Sequence, residues 1–167
     1  MSGIVDAIDI ASGYSHTCAI AGSTGGAFCW GQNGFGQLGV GTTSNKNTPT
    51  AVIGLESLRL TSVTTGRSHS CATTSLADVY CWGFNAFGQL GIGSVATRLS
   101  ATLVPNIKAT SVTAGEFHTC AITLQKSVKC WGAMDGLPQE RTAYGGQLGT
   151  GNKIGSELHA LNLKMQC

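Results

Sequence analysis

A chain of 167 residues has the length of one domain, and a hydrophobic fraction of 42% is enough for a core and argues against disorder. Charged residues make up only 11%, the net charge is +2, and the ten Lys and Arg are scattered, which leaves neither a basic stripe for nucleic acid nor a patch for a membrane surface. No apolar run approaches the roughly 18 residues of a membrane span, and the opening MSGIVDAIDI lacks the basic start and long apolar stretch expected of a secretory leader.

The first element is an alternating run, IVDAIDIAS (Ile4–Ser12), read as a strand. HTCAIAGSTGGAFCWG (His16–Gly31) follows as two short β-favouring runs around a Gly-rich turn, the layout of a hairpin. GQLGVG (Gly36–Gly41) turns the chain, using glycine's tolerance of positive φ and close backbone approach, and TTSNKNTPT (Thr42–Thr50) reads as a polar connector. The cycle then restarts with LRLTSVTTG (Leu58–Gly66), HSCATTSLADVYCWG (His69–Gly83) and GQLGIG (Gly88–Gly93). It runs a third time through IKATSVTAG (Ile107–Gly115), HTCAITLQKSVKCWG (His118–Gly132) and GQLGTG (Gly146–Gly151). No window carries a convincing helical period.

Measured between the first cysteine of each copy, the period is 53 and then 49 residues. About fifty residues with three or four short strands is the size of one propeller blade. The approximate units are 5–55, 56–107 and 108–160 within one repeat domain, 1–167. NLKMQC near the end resembles NIKATS (Asn106–Ser111), so 161–167 reads as the start of a fourth unit.

The shared pattern, GxxHTCAI followed by CWGxNxFGQLGxGT, resembles the repeat of the regulator of chromosome condensation family, three times over nearly the whole chain. That resemblance implies an all-β fold of β-propeller-type blades with three or four antiparallel strands each. Family members usually have seven blades, and three blades plus a partial one leave three readings: an open array, a fragment of a longer protein, or a ring completed by a homodimer. Exposed sheet edges disfavour a bare monomer. The family includes an exchange factor for a small nuclear GTPase, a plant UV-B photoreceptor and secreted inhibitors of β-lactamase, so the scaffold alone does not fix an activity.

Each unit holds two cysteines across its hairpin: Cys18 and Cys29, Cys71 and Cys81, Cys120 and Cys130, separated by 11, 10 and 10 residues. In register, each pair is directly cross-strand and close enough for a disulfide after a small closure. The alternative is three pairs of buried free thiols packing as small hydrophobes. Paired cysteines favour an oxidising or extracellular setting, against which stands the absence of a recognisable leader. A zinc site is disfavoured because there is no CxxC and cysteines of different blades should lie far apart. Cys167 occupies no repeat slot and is read as free.

His16, His69 and His118 recur at one repeat position, and Trp30, Trp82 and Trp131 at another. A catalytic centre needs one converged constellation, not three equivalent ones, so both sets read as structural: histidines bonded between strands or blades, and indoles packed between blades. A metal ring of axial histidines is the sharper alternative. No P-loop, GxSxG or HExxH is present, so no enzyme, cofactor or metal is expected. In the GWRHT motifs of the photoreceptor relative a tryptophan follows the glycine; here Tyr14, Arg67 and Glu116 occupy those positions, which removes the light-sensing cluster.

The third unit departs from the pattern. Five residues separate the Gly of CWG from the Gly of GQLG in the first two copies, but fourteen do so in the third. The inserted segment brings Asp135, Glu140, Arg141 and Tyr144, either as a tolerated surface loop or as a partner-contacting one. The expectation from sequence is therefore a non-enzymatic protein-binding scaffold with an unnamed protein partner, no nucleic acid and no membrane. The alternatives are a GTPase exchange factor by family analogy and a secreted enzyme-inhibitor-like binder.

Overall fold

A computed structural model describes residues 4–132, and within them the chain is built from ten strands and no helix. They are β1 (Ala7–Ser12), β2 (His16–Ala21), β3 (Ala27–Gly31), β4 (Lys46–Ala51), β5 (Leu60–Thr65), β6 (His69–Thr74), β7 (Asp78–Gly83), β8 (Arg98–Ala114), β9 (His118–Thr123) and β10 (Val128–Gly132). All pairings are antiparallel, in the orders β1-β2-β3-β4 and β5-β6-β7-β8-β9-β10. The arrangement is an open series of propeller-type blades.

The six-stranded sheet is two units joined by one strand. The first part of β8 pairs with β7, setting Cys81 opposite Thr102, while its last part pairs with β9, setting Thr113 opposite Cys120. Between them Asn106 takes φ 58°, a left-handed turn that bends the strand from one unit into the next. In the first unit the same junction is a true loop, Val52–Arg59, with Gly54 and Ser57 at positive φ.

One sequence reading changes here. The second half of the polar connector Thr42–Thr50 belongs to β4, which pairs with β3 through Cys29–Thr50 and Gly31–Lys46. Its lack of apolar alternation follows from its place: it is the outer edge of its sheet, where water faces the side chains and Pro49 is tolerated.

The core lies between units rather than inside them. Ile20, Leu38, Val52 and Leu55 of the first unit form one cluster with Leu60, Val63, Ala72 and Trp82 of the second. Val79, Leu90, Val104 and Ile107 of the second form another with Ala109, Ala121 and Trp131 of the third. A single unit of this kind cannot bury its own faces, so stacking makes the core.

The GQLG loop positions each junction. The buried Asn33 side chain donates to the carbonyls of Thr42 and Ser44 and accepts from Leu38 N–H, which folds the loop back on itself. Asn85 does the same with Ser94, Ala96 and Leu90. Gln37 and Gln89 hold their turns by accepting from the N–H of Phe35 and Phe87. Gly91 (φ +69°) lies flat against the neighbouring indole: a Cβ there would sit 2.5 Å from Trp131 Nε1.

Candidate partner-binding face and the joints beneath it

Each junction has a head, the face of a unit that carries its tryptophan, and a tail, the face that carries its histidine and GQLG loop. At the first junction Ser70 Oγ donates to Gln37 O at 2.8 Å, and Trp82 Nε1 donates to the same carbonyl at 3.0 Å. His16 Nε2 meets Ser70 Oγ at 2.8 Å. The serine proton is used on Gln37, so His16 must be the donor and carries its proton on Nε2. The second junction repeats this bond for bond: Thr119 and Trp131 donate to Gln89 O at 2.8 and 3.0 Å, and His69 Nε2 lies 2.9 Å from Thr119 Oγ1.

This geometry sets the histidine electrostatics. The Nδ1 atoms of His16 and His69 are buried without a partner, so a second proton there would be a desolvated charge. Burial pushes His16 down to about 4, and burial together with the neighbouring histidines pushes His69 down to about 3. His118 is also lowered by burial. Among the described residues no three His, Cys, Asp or Glu side chains are grouped to hold a metal ion, and the Nε2 atoms of His16 and His69 are committed to hydroxyls.

The six cysteines of the hairpins meet in pairs. Cys18 faces Cys29, Cys71 faces Cys81 and Cys120 faces Cys130 in direct cross-strand register. Each pair is a disulfide with a Cα–Cα distance of 4.1 Å. The tryptophans differ: Trp82 and Trp131 are fully buried against a preceding GQLG loop, whereas Trp30 is only half-buried. Asp135, Glu140, Arg141, Tyr144 and Cys167 lie outside the described residues.

A second constellation uses residues that do not repeat. The β1–β2, β5–β6 and β8–β9 turns lie on the same side of successive units, so the differing residues after each turn glycine come into one row. The Arg67 guanidinium lies 5.2 Å from the Tyr14 ring centre and 5.6 Å from that of Phe117, and it is paired with the Glu116 carboxylate. Alongside runs an aromatic row in which Phe35 and Phe87 are repeat equivalents and Phe84 and Phe117 are not: Phe35 to Phe84 at 4.9 Å, Phe84 to Phe87 at 5.9 Å and Phe87 to Phe117 at 5.1 Å. Tyr14, Thr65, Arg67 and Glu116 line an open depression on this side. Gly132, after which the long insertion begins, is paired with His118 at the same end of its hairpin.

Sequence reasoning noted Tyr14, Arg67 and Glu116 as departures from a motif but not as neighbours. It also missed the hydroxyls of Ser70 and Thr119, whose positions alternate between Ser and Thr, and the loop-holding role of Asn33 and Asn85. The recurrence of that asparagine after CWG was the available signal.

A family model, the regulator of chromosome condensation (RCC1) repeat, matches residues 24–73 and 77–122, and a second model of that repeat matches 7–37 and 60–89. The probable E3 ubiquitin-protein ligase HERC4 of Homo sapiens is 36% identical over 104 residues, which is 62% of this chain and 9% of that protein. The ultraviolet-B receptor UVR8 of Arabidopsis thaliana is 38% identical over 90 residues, covering 54% of this chain and 20% of the receptor. The chain thus spans a fifth or less of these relatives' length. Among solved structures, Prp20p of Saccharomyces cerevisiae, described with its binding to Gsp1p and histones, superposes with TM-score 0.79 at 23% identity, over 93% of this chain and 37% of that one. Human WBSCR16 superposes with TM-score 0.78 at 16% identity, over 98% and 38%. Both likenesses concern the fold.

Proposed function

This chain belongs to the regulator of chromosome condensation repeat family, and from that premise we propose that it is a non-catalytic scaffold that binds a protein partner through the face carrying Tyr14, Arg67, Glu116 and the phenylalanine row. One observation carries the reading. The recurring His16, His69, Trp82, Trp131, Cys, Asn and Gln side chains are engaged in joints, hairpins and loops, while the non-recurring Tyr14, Arg67, Glu116, Phe84 and Phe117 gather on one face beside the recurring Phe35 and Phe87. Aromatic and arginine side chains already held against one another lose little freedom when a partner arrives, which suits them to anchor an interface. The similarity to HERC4, UVR8 and Prp20p supports the same coarse role and names no partner for this chain. Three hairpin cystines support work in an oxidising compartment.

The test is site-specific photocrosslinking in the native extract. A crosslinker at Tyr14 should capture a defined protein, one at Leu76 on the opposite hairpin end should not, and Arg67→Glu should abolish the capture at Tyr14. Equal labelling from both positions sinks the proposal.

A further inference from the structure

Tyr14, Arg67 and Glu116 occupy one position in three successive units, the residue after the inner turn glycine. Those glycines lie beneath the row. A Cβ on Gly13 would collide with Gly66 O, and one on Gly66 with Gly115 O, so each unit brings bare main chain against the next. The residue after the glycine is the first side chain to stand at the rim of the depression they line. Its three occupants are a ring, a cation and an anion.

The two charges are held in a fixed order. The rings of Tyr14 and Phe117 flank the Arg67 guanidinium. Arg67 Nη1 donates to Glu116 Oε1, the one side-chain hydrogen bond either group makes among the described residues. A guanidinium has five N–H donors and a carboxylate two acceptor oxygens, so both keep unmet capacity. Their side chains are 42% and 55% exposed. An exposed pair contributes little to folding. Seen from beyond about 8 Å, the screening length at physiological salt, the two charges cancel. A polyanion drawn to Arg67 meets Glu116 beside it. The pair offers instead a polarity, read at contact. A surface that sets an acid over Arg67 and a base over Glu116 gains at both positions, and the reverse order loses at both.

We infer that Arg67 and Glu116 are the specificity-determining residues of the partner face. Its occupant is a different protein that presents a carboxylate to Arg67, an ammonium or guanidinium to Glu116, and an apolar group to Tyr14. This inference rests on the partner-face reading and names the chemistry of the partner. Two copies of this chain facing crosswise would match Arg67 with Glu116 but leave Tyr14, 78% exposed, with no described residue opposite.

Photocrosslinking from Phe35, at one end of the phenylalanine row, leaves Tyr14, Arg67 and Glu116 native. Serial dilution of the native extract gives the concentration for half-maximal capture. Arg67→Gln and Glu116→Gln should each raise it about tenfold. The double variant Arg67→Glu with Glu116→Arg keeps one cation and one anion on the same two positions and reverses their order. It should abolish capture while its melting temperature stays at the wild-type value. Tighter capture by Glu116→Gln assigns an anionic surface and overturns the proposal. A reversed pair that captures as well as the wild type also overturns it, and leaves the face binding through its rings alone. A captured second copy of this chain overturns the assignment of a different protein. Absence of wild-type capture from both Phe35 and Tyr14 overturns the partner face itself, and this inference with it.

Discussion

His16 of the first unit donates from Nε2 to Ser70 Oγ of the second at 2.8 Å, and the Ser70 hydroxyl in turn donates to Gln37 O. One hydroxyl therefore fixes a histidine tautomer and joins two units. Removing it leaves a buried N–H without an acceptor, which costs about 1–3 kcal/mol. Ser70→Ala should lower the denaturation midpoint accordingly, while Ser70→Thr should hold stability near wild type, because Thr119 does the same work one joint later. Urea unfolding followed by tryptophan fluorescence measures both.

The same joint predicts acid sensitivity. His16 and His69 titrate in the unfolded chain near 6.5 and in the folded chain at about 4 and about 3, both lowered first by burial. The unfolded state therefore binds protons first as pH falls. Stability is complete above about 6.5 and declines below it, by about 1.4 kcal/mol per pH unit for each histidine until its folded pKa is reached. Urea midpoints between pH 7.5 and 4.5 should fall on this course, and His69→Asn should flatten it.

Gly91 cannot carry a side chain. Its φ of +69° is left-handed, and a Cβ would press on Trp131. Strain of about 1–2 kcal/mol for the backbone and about 1–3 for overpacking should make Gly91→Ala one of the most damaging single substitutions. Thermal unfolding measures the loss, and a red-shifted indole emission should accompany it.

Each cystine closes a loop of 10 or 11 residues, for which the loop-entropy relation gives about 3 kcal/mol. Cys71→Ala with Cys81→Ala should cost about that much in urea unfolding. Alkylation in denaturant should leave all six hairpin cysteines unmodified until a reductant is added.

Arg67→Ala should separate binding from folding. Its ion pair with Glu116 and its stacking on Tyr14 are exposed, so together they contribute about 1 kcal/mol or less. The melting temperature should barely move, while crosslinking from Tyr14 should be lost.

The repeat made the strands, hairpins and cysteine partners legible, because a cysteine pair ten residues apart around a turn has one obvious register. Two things were hidden for physical reasons. β4 escaped because an outer edge strand needs no apolar alternation, and the run through β8 concealed a unit boundary that only the turn at Asn106 marks. The row Tyr14–Arg67–Glu116 was hidden because its members are 49 and 53 residues apart and unlike one another. Only stacked blades bring equivalent positions together. The serine–threonine exchange at position 70 and its equivalents disguised a conserved bond geometry as variation, since both side chains supply the hydroxyl that the joint needs.

The acceptor at each joint, the carbonyl of Gln37 or Gln89, belongs to the main chain and receives both donors from the next unit. The acceptor of the socket therefore does not depend on which side chain stands at position 37 or 89, while the histidine, the turn glycine and the apolar residues complete the joint. A copied unit that keeps its histidine, hydroxyl, tryptophan and GQLG loop carries both halves of the joint with it, so an array of this kind can lengthen by copying a gene segment. The loops above the joints are then free to diverge, as Tyr14, Arg67 and Glu116 have done.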